Sequence, residues 1–75
     1  MDTQNKDLLK YLETHKKGIT QKQAMQKLGI GRLSARVFDL RHQGHLIDTS
    51  IIAVKNRHGR KSHVANYVYI GKVEA

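Results

Sequence analysis

Residues 20–44, TQKQAMQKLGIGRLSARVFDLRHQG, predict two short helices joined by a tight turn. Thr20 and Gln23 have the spacing of a capping box, in which the threonine hydroxyl and the glutamine side chain each satisfy a backbone N–H group at the start of a helix. Gly29 ends this helix, because glycine readily adopts the left-handed conformation that a tight turn needs, and Ile30 can fill the turn from the core side. The two predicted helices span residues 20–28 and 32–43.

The second of these helices has two different faces. Leu33, Val37 and Leu40 fall together at about 100° per residue, and Phe38 widens that apolar face. Gly44 is a natural stop for the helix. The opposite face carries small, polar and charged residues, which are Arg32, Ala35, Arg36, Asp39, His42 and Gln43.

Residues 3–16 predict the first helix of the chain, with leucines at helical spacing. Asp2 or Thr3 can cap its start, and Gly18 is a plausible stop at its end. Ile19 then predicts a short extended bridge or one turn of strand. The apolar positions of the first two helices, which we expect in the core, are Leu8, Leu9, Leu12, Ala24, Met25 and Leu28.

The chain is strongly basic. Its 75 residues include 14 Lys and Arg against 6 Asp and Glu, which gives a formal net charge of +8 and a pI of about 10.1. Such an excess on a small protein points to a polyanion, most simply nucleic acid, whose phosphates release counterions when a basic protein binds. A generally basic, soluble surface is the alternative, so the placement of the charges must decide between the two.

The polar face of helix 32–43 indicates contacts to base edges in the major groove of DNA. The small side chain of Ala35 lets the backbone approach the groove, while Arg32 and Arg36 reach forward, and an arginine that binds guanine with two hydrogen bonds provides about 1–3 kcal/mol of discrimination. Asp39 can accept from a cytosine amino group, but we expect it rather to orient Arg36 through an i,i+3 pair. An ordinary solvated helix face is the alternative. The predicted DNA contacts of this helix are Arg32, Ser34, Ala35, Arg36, Asp39 and Gln43.

The periodicity changes to that of β-strands from residue 46 onwards. Residues 46–55 (LIDTSIIAVK) and residues 62–70 (SHVANYVYI) are rich in β-branched and aromatic side chains and predict two strands. Tyr67 lies on one face of the second strand and Val68 on the other, and both faces contain apolar residues. The sequence therefore does not select the face that turns inward.

The segment between these strands, KNRHGRK at residues 55–61, predicts a hairpin tip with turn residues Asn56 and Gly59. A plain turn does not require four positive charges, whereas a tip that enters a minor groove or grips phosphates uses all of them. A simple solubilising tip is the alternative. The predicted DNA contacts of the tip are Lys55, Arg57, His58, Arg60 and Lys61.

Three helices followed by a basic hairpin resemble the winged helix-turn-helix fold. Within it, residues 32–45 (RLSARVFDLRHQGH) are similar to a small phage- and prophage-type helix-turn-helix family, whose pattern runs approximately Arg-Leu-Ser/Ala-Ala-Arg-Ile-x-Asp-Leu-Arg followed by a glycine. The resemblance covers residues 6–70 and is specific in the helix 3 segment. It implies DNA binding and a mobile-element context. The turn at residues 28–31 is shorter than in many winged-helix regulators.

The predicted fold class is therefore α+β, a winged helix-turn-helix with three helices and a two-stranded hairpin wing in one domain of residues 1–75. The chain has no cysteine, so disulfides and thiolate metal sites are excluded and a reducing compartment such as the cytoplasm is the simpler expectation. The apolar runs are too short for a membrane span or a signal peptide.

Histidines raise the question of a metal site. His42 and His45 are three residues apart, and His58 and His63 lie in the hairpin. Structural zinc sites usually include cysteine, and Gly44 should interrupt the helix between the first pair. We therefore expect no metal, and expect His58 and His63 to add charge to the tip when protonated.

Catalysis has no support in the sequence. There is no nucleophile with a plausible base, no glycine-rich phosphate loop and no pair of carboxylates in a setting that shifts their pKa values. We therefore expect no enzymatic activity and no cofactor.

Several uses of such a domain remain open. It can repress or activate transcription, or bend DNA as an excisionase-like recombination factor. It can also direct its basic face to an acidic protein, as an adaptor or host-takeover inhibitor. Z-DNA or double-stranded RNA binding ranks lower, because the hairpin lacks the proline and tryptophan expected of Z-DNA binders. We expect a cytoplasmic, nucleoid-associated protein that is a monomer in solution or a weak homodimer and that can bind adjacent DNA sites cooperatively.

Overall fold

A computed structural model describes residues 3–73 of the protein, which form three α-helices followed by a β-hairpin. The helices are α1 (Thr3–Thr14), α2 (Gln21–Leu28) and α3 (Leu33–His42). The strands are β1 (Ile19–Thr20), β2 (His45–Lys55) and β3 (Lys61–Lys72). The order of the three helices and the two hairpin strands is the predicted one. Asp2, one of the two candidate caps of α1, lies outside the described residues.

The sheet has one strand more than predicted. β3 is its central strand, with β1 on one side and β2 on the other, and both pairings are antiparallel. The extended bridge expected at Ile19 is a two-residue strand in which Ile19 lies opposite Tyr67 and Thr20 lies opposite Asn66. So short a strand has no periodicity of its own, and its partner is far away in the chain, so the sequence indicated the bridge but not the pairing.

The ends of α2 follow the predicted local signals. The Thr20 hydroxyl accepts a hydrogen bond from the Gln23 backbone N–H at 3.4 Å, and the Gln23 side chain accepts from the Thr20 N–H at 3.1 Å. Thr20 is therefore the N-cap and α2 begins one residue later than predicted. Gly29 ends the helix with a φ of +69°, in the left-handed region.

A compact apolar core joins the helices to the base of the hairpin. Tyr67 and Tyr69 pack against this core, so their face of β3 is the one that turns inward. Ile30, expected to fill the turn, is fully buried. The buried apolar side chains are Leu8, Leu12, Ile19, Ala24, Ile30, Leu33, Val37, Leu40 and Ile47.

Two side chains predicted in the core lie on the surface. Phe38 is 61% exposed and Met25 is 52% exposed. Phe38 follows Leu33 by five residues, which turns it about 140° around the helix and away from the protein body. Met25 lies over the outside of the interhelical turn, near Gly31, while α2 faces the core through Ala24.

None of the helices within residues 3–73 is long and apolar enough to cross a membrane.

Candidate nucleic-acid interface

The start of α3 is fixed by a side chain from α2. The Gln21 amide nitrogen donates to the Ile30 carbonyl oxygen at 2.9 Å, and its amide oxygen accepts from the Leu33 backbone N–H at 2.8 Å. Gln21 thereby satisfies one of the unpaired N–H groups at the start of α3 and holds the two helices at one angle. Sequence reasoning missed this residue, because its partners lie 9 and 12 positions further along the chain.

The end of α3 is fixed to β2 by Arg41. Its guanidinium donates to the Ile47 carbonyl oxygen, at 3.1 Å from Nε, and to the Thr49 hydroxyl at 3.0 Å. Charge-assisted bonds of this kind are stronger than neutral ones. Arg41 therefore sets the position of α3 relative to the hairpin.

Arg36 and Asp39 form the i,i+3 pair that was expected, with Arg36 Nη2 3.4 Å from Asp39 Oδ2. The same carboxylate oxygen accepts from the Asn5 side-chain amide of α1 at 3.4 Å. The side chain of Arg36 is 26% exposed. Both residues therefore lie on the α1 side of α3, at the edge of its outer surface rather than at the centre.

The centre of the outer surface of α3 is formed by Ala35, Phe38 and His42, opposite the buried leucines. The Phe38 and His42 rings pack edge to face with centroids 4.3 Å apart. Arg32 is the N-cap residue of α3, not its first helical residue, and is exposed at its start. Gln43, the C-cap, is exposed at the other end.

The tip of the hairpin is a tight, internally bonded turn. The Asn56 side-chain oxygen accepts from the backbone N–H groups of His58 and Arg60 at 2.9 and 3.0 Å. The Asn56 N–H donates to the Arg60 carbonyl oxygen at 2.8 Å, and Gly59 takes a φ of +78°. This turn holds the basic tip in one conformation. The exposed side chains of the tip include all five predicted contacts, which are Lys55, Arg57, His58, Arg60 and Lys61.

Two of these cations lie opposite each other at the turn end of the hairpin strands. Lys55 and Lys61 are directly opposite each other at the end of the β2–β3 ladder. Like charges in directly opposed positions destabilise an antiparallel pair. A bound phosphate between or beside them would remove the repulsion, so the arrangement suits a polyanionic ligand.

A cleft of about 610 Å³ lies between α2, the start of α3 and the hairpin. Of the eleven predicted DNA contacts, all within residues 3–73, Ser34 of α3 and Lys55 of the hairpin line this cleft and the other nine do not, so it connects the start of α3 to the hairpin at one residue of each. Lys22 and Gln26 of α2 also line it, and neither was among the predicted contacts. Their signal in the sequence is the polar side of α2, which alone does not distinguish a binding face from a solvated one.

The histidines are dispersed. His45 is buried at the base of the hairpin with its Nδ1 3.1 Å from the Tyr69 hydroxyl oxygen, whereas His58 lies at the tip. Burial raises the pKa of Tyr69 above its ordinary value, and the Glu13 carboxylate adds to this effect. Within residues 3–73, no group of three or more His, Cys, Asp or Glu side chains is arranged to hold a metal ion.

Three helices, a helix-turn-helix unit fixed at both ends of α3 and a projecting basic hairpin define a winged helix-turn-helix domain, and this class implies DNA binding. A family model described as a winged helix-turn-helix domain matches residues 3–71. The chain therefore belongs to this family. Comparisons with curated proteins and with solved structures find no match.

Proposed function

We propose that the protein binds double-stranded DNA at specific sequences, with α3 in the major groove and the hairpin tip on the adjacent minor groove or phosphates. We further propose that it acts as a transcription regulator of a phage or other mobile element, in the cytoplasm, by binding rather than catalysis. The observation that carries the proposal is the concave surface between the start of α3 and the hairpin, which reaches the basic tip at Lys55, the residue paired with Lys61 in the strand register.

The dimensions of α3 suit a major groove. Its ten residues span about 15 Å, and a groove about 12 Å wide admits one helix. Arg32, exposed at the start of α3, is the arginine best placed for a guanine edge. Arg36, paired with Asp39 on the α1 side, is nearer to the DNA backbone in this arrangement.

Phe38 gives the outer surface of α3 an apolar centre. A phenyl ring in the major groove cannot donate to a base, but it can contact the C5-methyl group of thymine. Because Phe38 is 61% exposed and flanked by Ala35, its ring can reach a groove without any change in the protein core. We therefore assign Phe38 to the recognition of thymine in the target.

This assignment predicts that removing the Phe38 ring and removing the thymine C5-methyl group have non-additive effects on the binding free energy. Replacing the relevant thymine by uracil in the selected duplex should weaken binding of the wild-type protein about fourfold per methyl group contacted. Phe38→Ala should bind more weakly and lose this sensitivity, while Phe38→Leu should retain it. Equilibrium binding of the three proteins to both duplexes measures the coupling as a double-mutant cycle. Equal effects of uracil on wild type and Phe38→Ala would contradict the assignment.

A further inference from the structure

A second basic surface lies away from α3 and the hairpin tip. It is a cleft of about 400 Å³ between the end of α1, the loop of residues 15–18 and α2. We name it the α1–α2 cleft. Its lining residues are Tyr11, His15, Lys16, Lys17, Gly18, Gln23 and Lys27.

We propose that the α1–α2 cleft binds backbone phosphates of DNA that lies outside the segment held by α3 and the hairpin tip. This inference rests on the proposed DNA-binding function. The phosphates can belong to the flank of the same duplex, bent around the protein, or to a second duplex.

The charge of the cleft is of one sign. Three lysines and a histidine line it, and none of the lining residues, all within residues 3–73, is acidic. Glu13 lies about 200° around α1 from Tyr11 and acts on Tyr69 instead. Asp7, one turn before Tyr11, is not part of the lining. A phosphate entering the cleft would therefore meet no acidic side chain among the lining residues.

The loop that carries two of the lysines is held rigidly against β3. The Asn66 side-chain amide donates to the Lys17 carbonyl oxygen at 2.9 Å. Gly18 has a φ of +94°, and a Cβ there would be 2.5 Å from the Tyr67 carbonyl oxygen. Lys16 and Lys17 therefore project from an ordered backbone, which lowers the entropy lost when they bind a ligand.

Aromatic rings organise the other side of the cleft. The Tyr11 and His15 rings are stacked with centroids 3.8 Å apart and an angle of 4° between their planes. The Lys27 ammonium lies 5.7 Å from the Tyr11 ring centroid, within the range of a cation–π interaction. Lys27, from α2, is thus directed toward Tyr11 of α1 and lines the same cleft as Lys16 and Lys17.

Helix dipoles favour a cation at each of these positions. Lys16 and Lys17 follow the end of α1, and Lys27 lies in the last turn of α2, where the partial negative charge of a helix end stabilises a cation. The dipoles do not require the three side chains to line one cleft. Their convergence there is the feature that a phosphate ligand would use.

The α1–α2 cleft and the cleft beside the hairpin lie on different sides of α2. Gln26 lines the cleft beside the hairpin, whereas Lys27, about 100° further around the helix, lines the α1–α2 cleft. Gln23 lies at the boundary and lines both. A straight duplex bound in the cleft beside the hairpin would leave the α1–α2 cleft free for other DNA.

The test compares two variants of equal charge. In the cleft variant, Lys16, Lys17 and Lys27 are replaced by glutamine; in the control, the exposed Lys6, Lys10 and Lys72, which line neither cleft, are replaced likewise. Each is measured for binding to a short duplex limited to the selected motif and to the same motif with long flanks. Energy transfer between two separately labelled short duplexes reports bridging, and thermal melts confirm folding.

We expect the cleft variant to bind the short duplex as the control does. It should lose one of two signals. Loss of the added affinity for the flanked duplex would show that the bound phosphates belong to the flank, and loss of the bridging signal would show that they belong to a second duplex. Its salt slope on the affected DNA should fall by about 0.9 per lost phosphate contact. Identical behaviour of both variants in all three assays would overturn phosphate binding by the α1–α2 cleft and leave the proposed function unaffected. Failure of the wild type to bind the short duplex would overturn the proposed function, and the inference with it.

Discussion

Replacing Arg57 and Arg60 by glutamine is expected to weaken binding to every duplex by the same factor, whether or not the duplex contains the preferred motif. Both side chains are exposed at the hairpin tip, where they are placed for contacts to phosphates, which carry no sequence information. The slope of log affinity against log salt should fall by about two, since each phosphate contact contributes about 0.9. Between 50 and 200 mM salt, the wild type should therefore lose about tenfold more affinity than the variant.

A variant of equal charge provides the control for this effect. Lys6 and Lys10 are exposed on α1, away from the hairpin and from both clefts. Their replacement by glutamine changes the net charge equally and should alter the salt slope much less. A change of the same size in both variants would mean that net charge, and not the tip, governs affinity.

Replacing Leu40 by alanine is expected to destabilise the domain by about 2–5 kcal/mol. Leu40 is fully buried in the core between α3 and the other elements. At about 0.05–0.15 kcal/mol per residue, a 75-residue domain has a free energy of unfolding of about 4–11 kcal/mol, so the variant should lose a large fraction of its stability. Urea unfolding followed by circular dichroism measures the difference as a shift of the transition midpoint.

Phe38→Ala is the matched control on the same helix. Its ring is 61% exposed, so truncation should change the free energy of unfolding by less than about 1 kcal/mol. A loss as large as that of Leu40→Ala would show that α3 is rotated and that Phe38 belongs to the core, as its sequence position first indicated.

The parts of the fold that could be predicted are those with local signals. The capping box at Thr20 and the left-handed Gly29 act within one helix turn, so adjacent residues in the sequence contain all the partners. The same holds for the hairpin turn around Asn56, whose hydrogen bonds close within five residues. The order of helices and strands follows from such signals and from the two periodicities.

The parts that could not be predicted depend on distant partners. Val37 and Phe38 are both apolar neighbours on α3, and only packing against α1 and the hairpin decides which of them is buried. Gln21 and Arg41 bind backbone groups of other elements, so their side chains look like ordinary surface residues in the sequence. The α1–α2 cleft requires Lys27 to approach the loop after α1, which is a tertiary relation.

The candidate nucleic-acid interface also contains one part that local sequence signals predict and one part that depends on packing. The basic tip was visible as a run of charges in the sequence, and its residues are exposed together in the structure. The outer surface of α3 was visible only in part. Leu33, Val37 and Leu40 form the buried face as predicted, but Phe38, which was added to that face, lies at the centre of the outer surface, and Arg36 lies at its edge.

The most direct test of the central claim is selection of binding sites from a random duplex library by the wild-type protein, at two salt concentrations. Specific recognition by α3, with affinity added by the hairpin tip, predicts one enriched motif that is the same at both concentrations while the overall affinity falls with salt. Weak binding that is steeply salt-dependent and enriches no motif would contradict it, because the positive charge would then be a generic property of the surface.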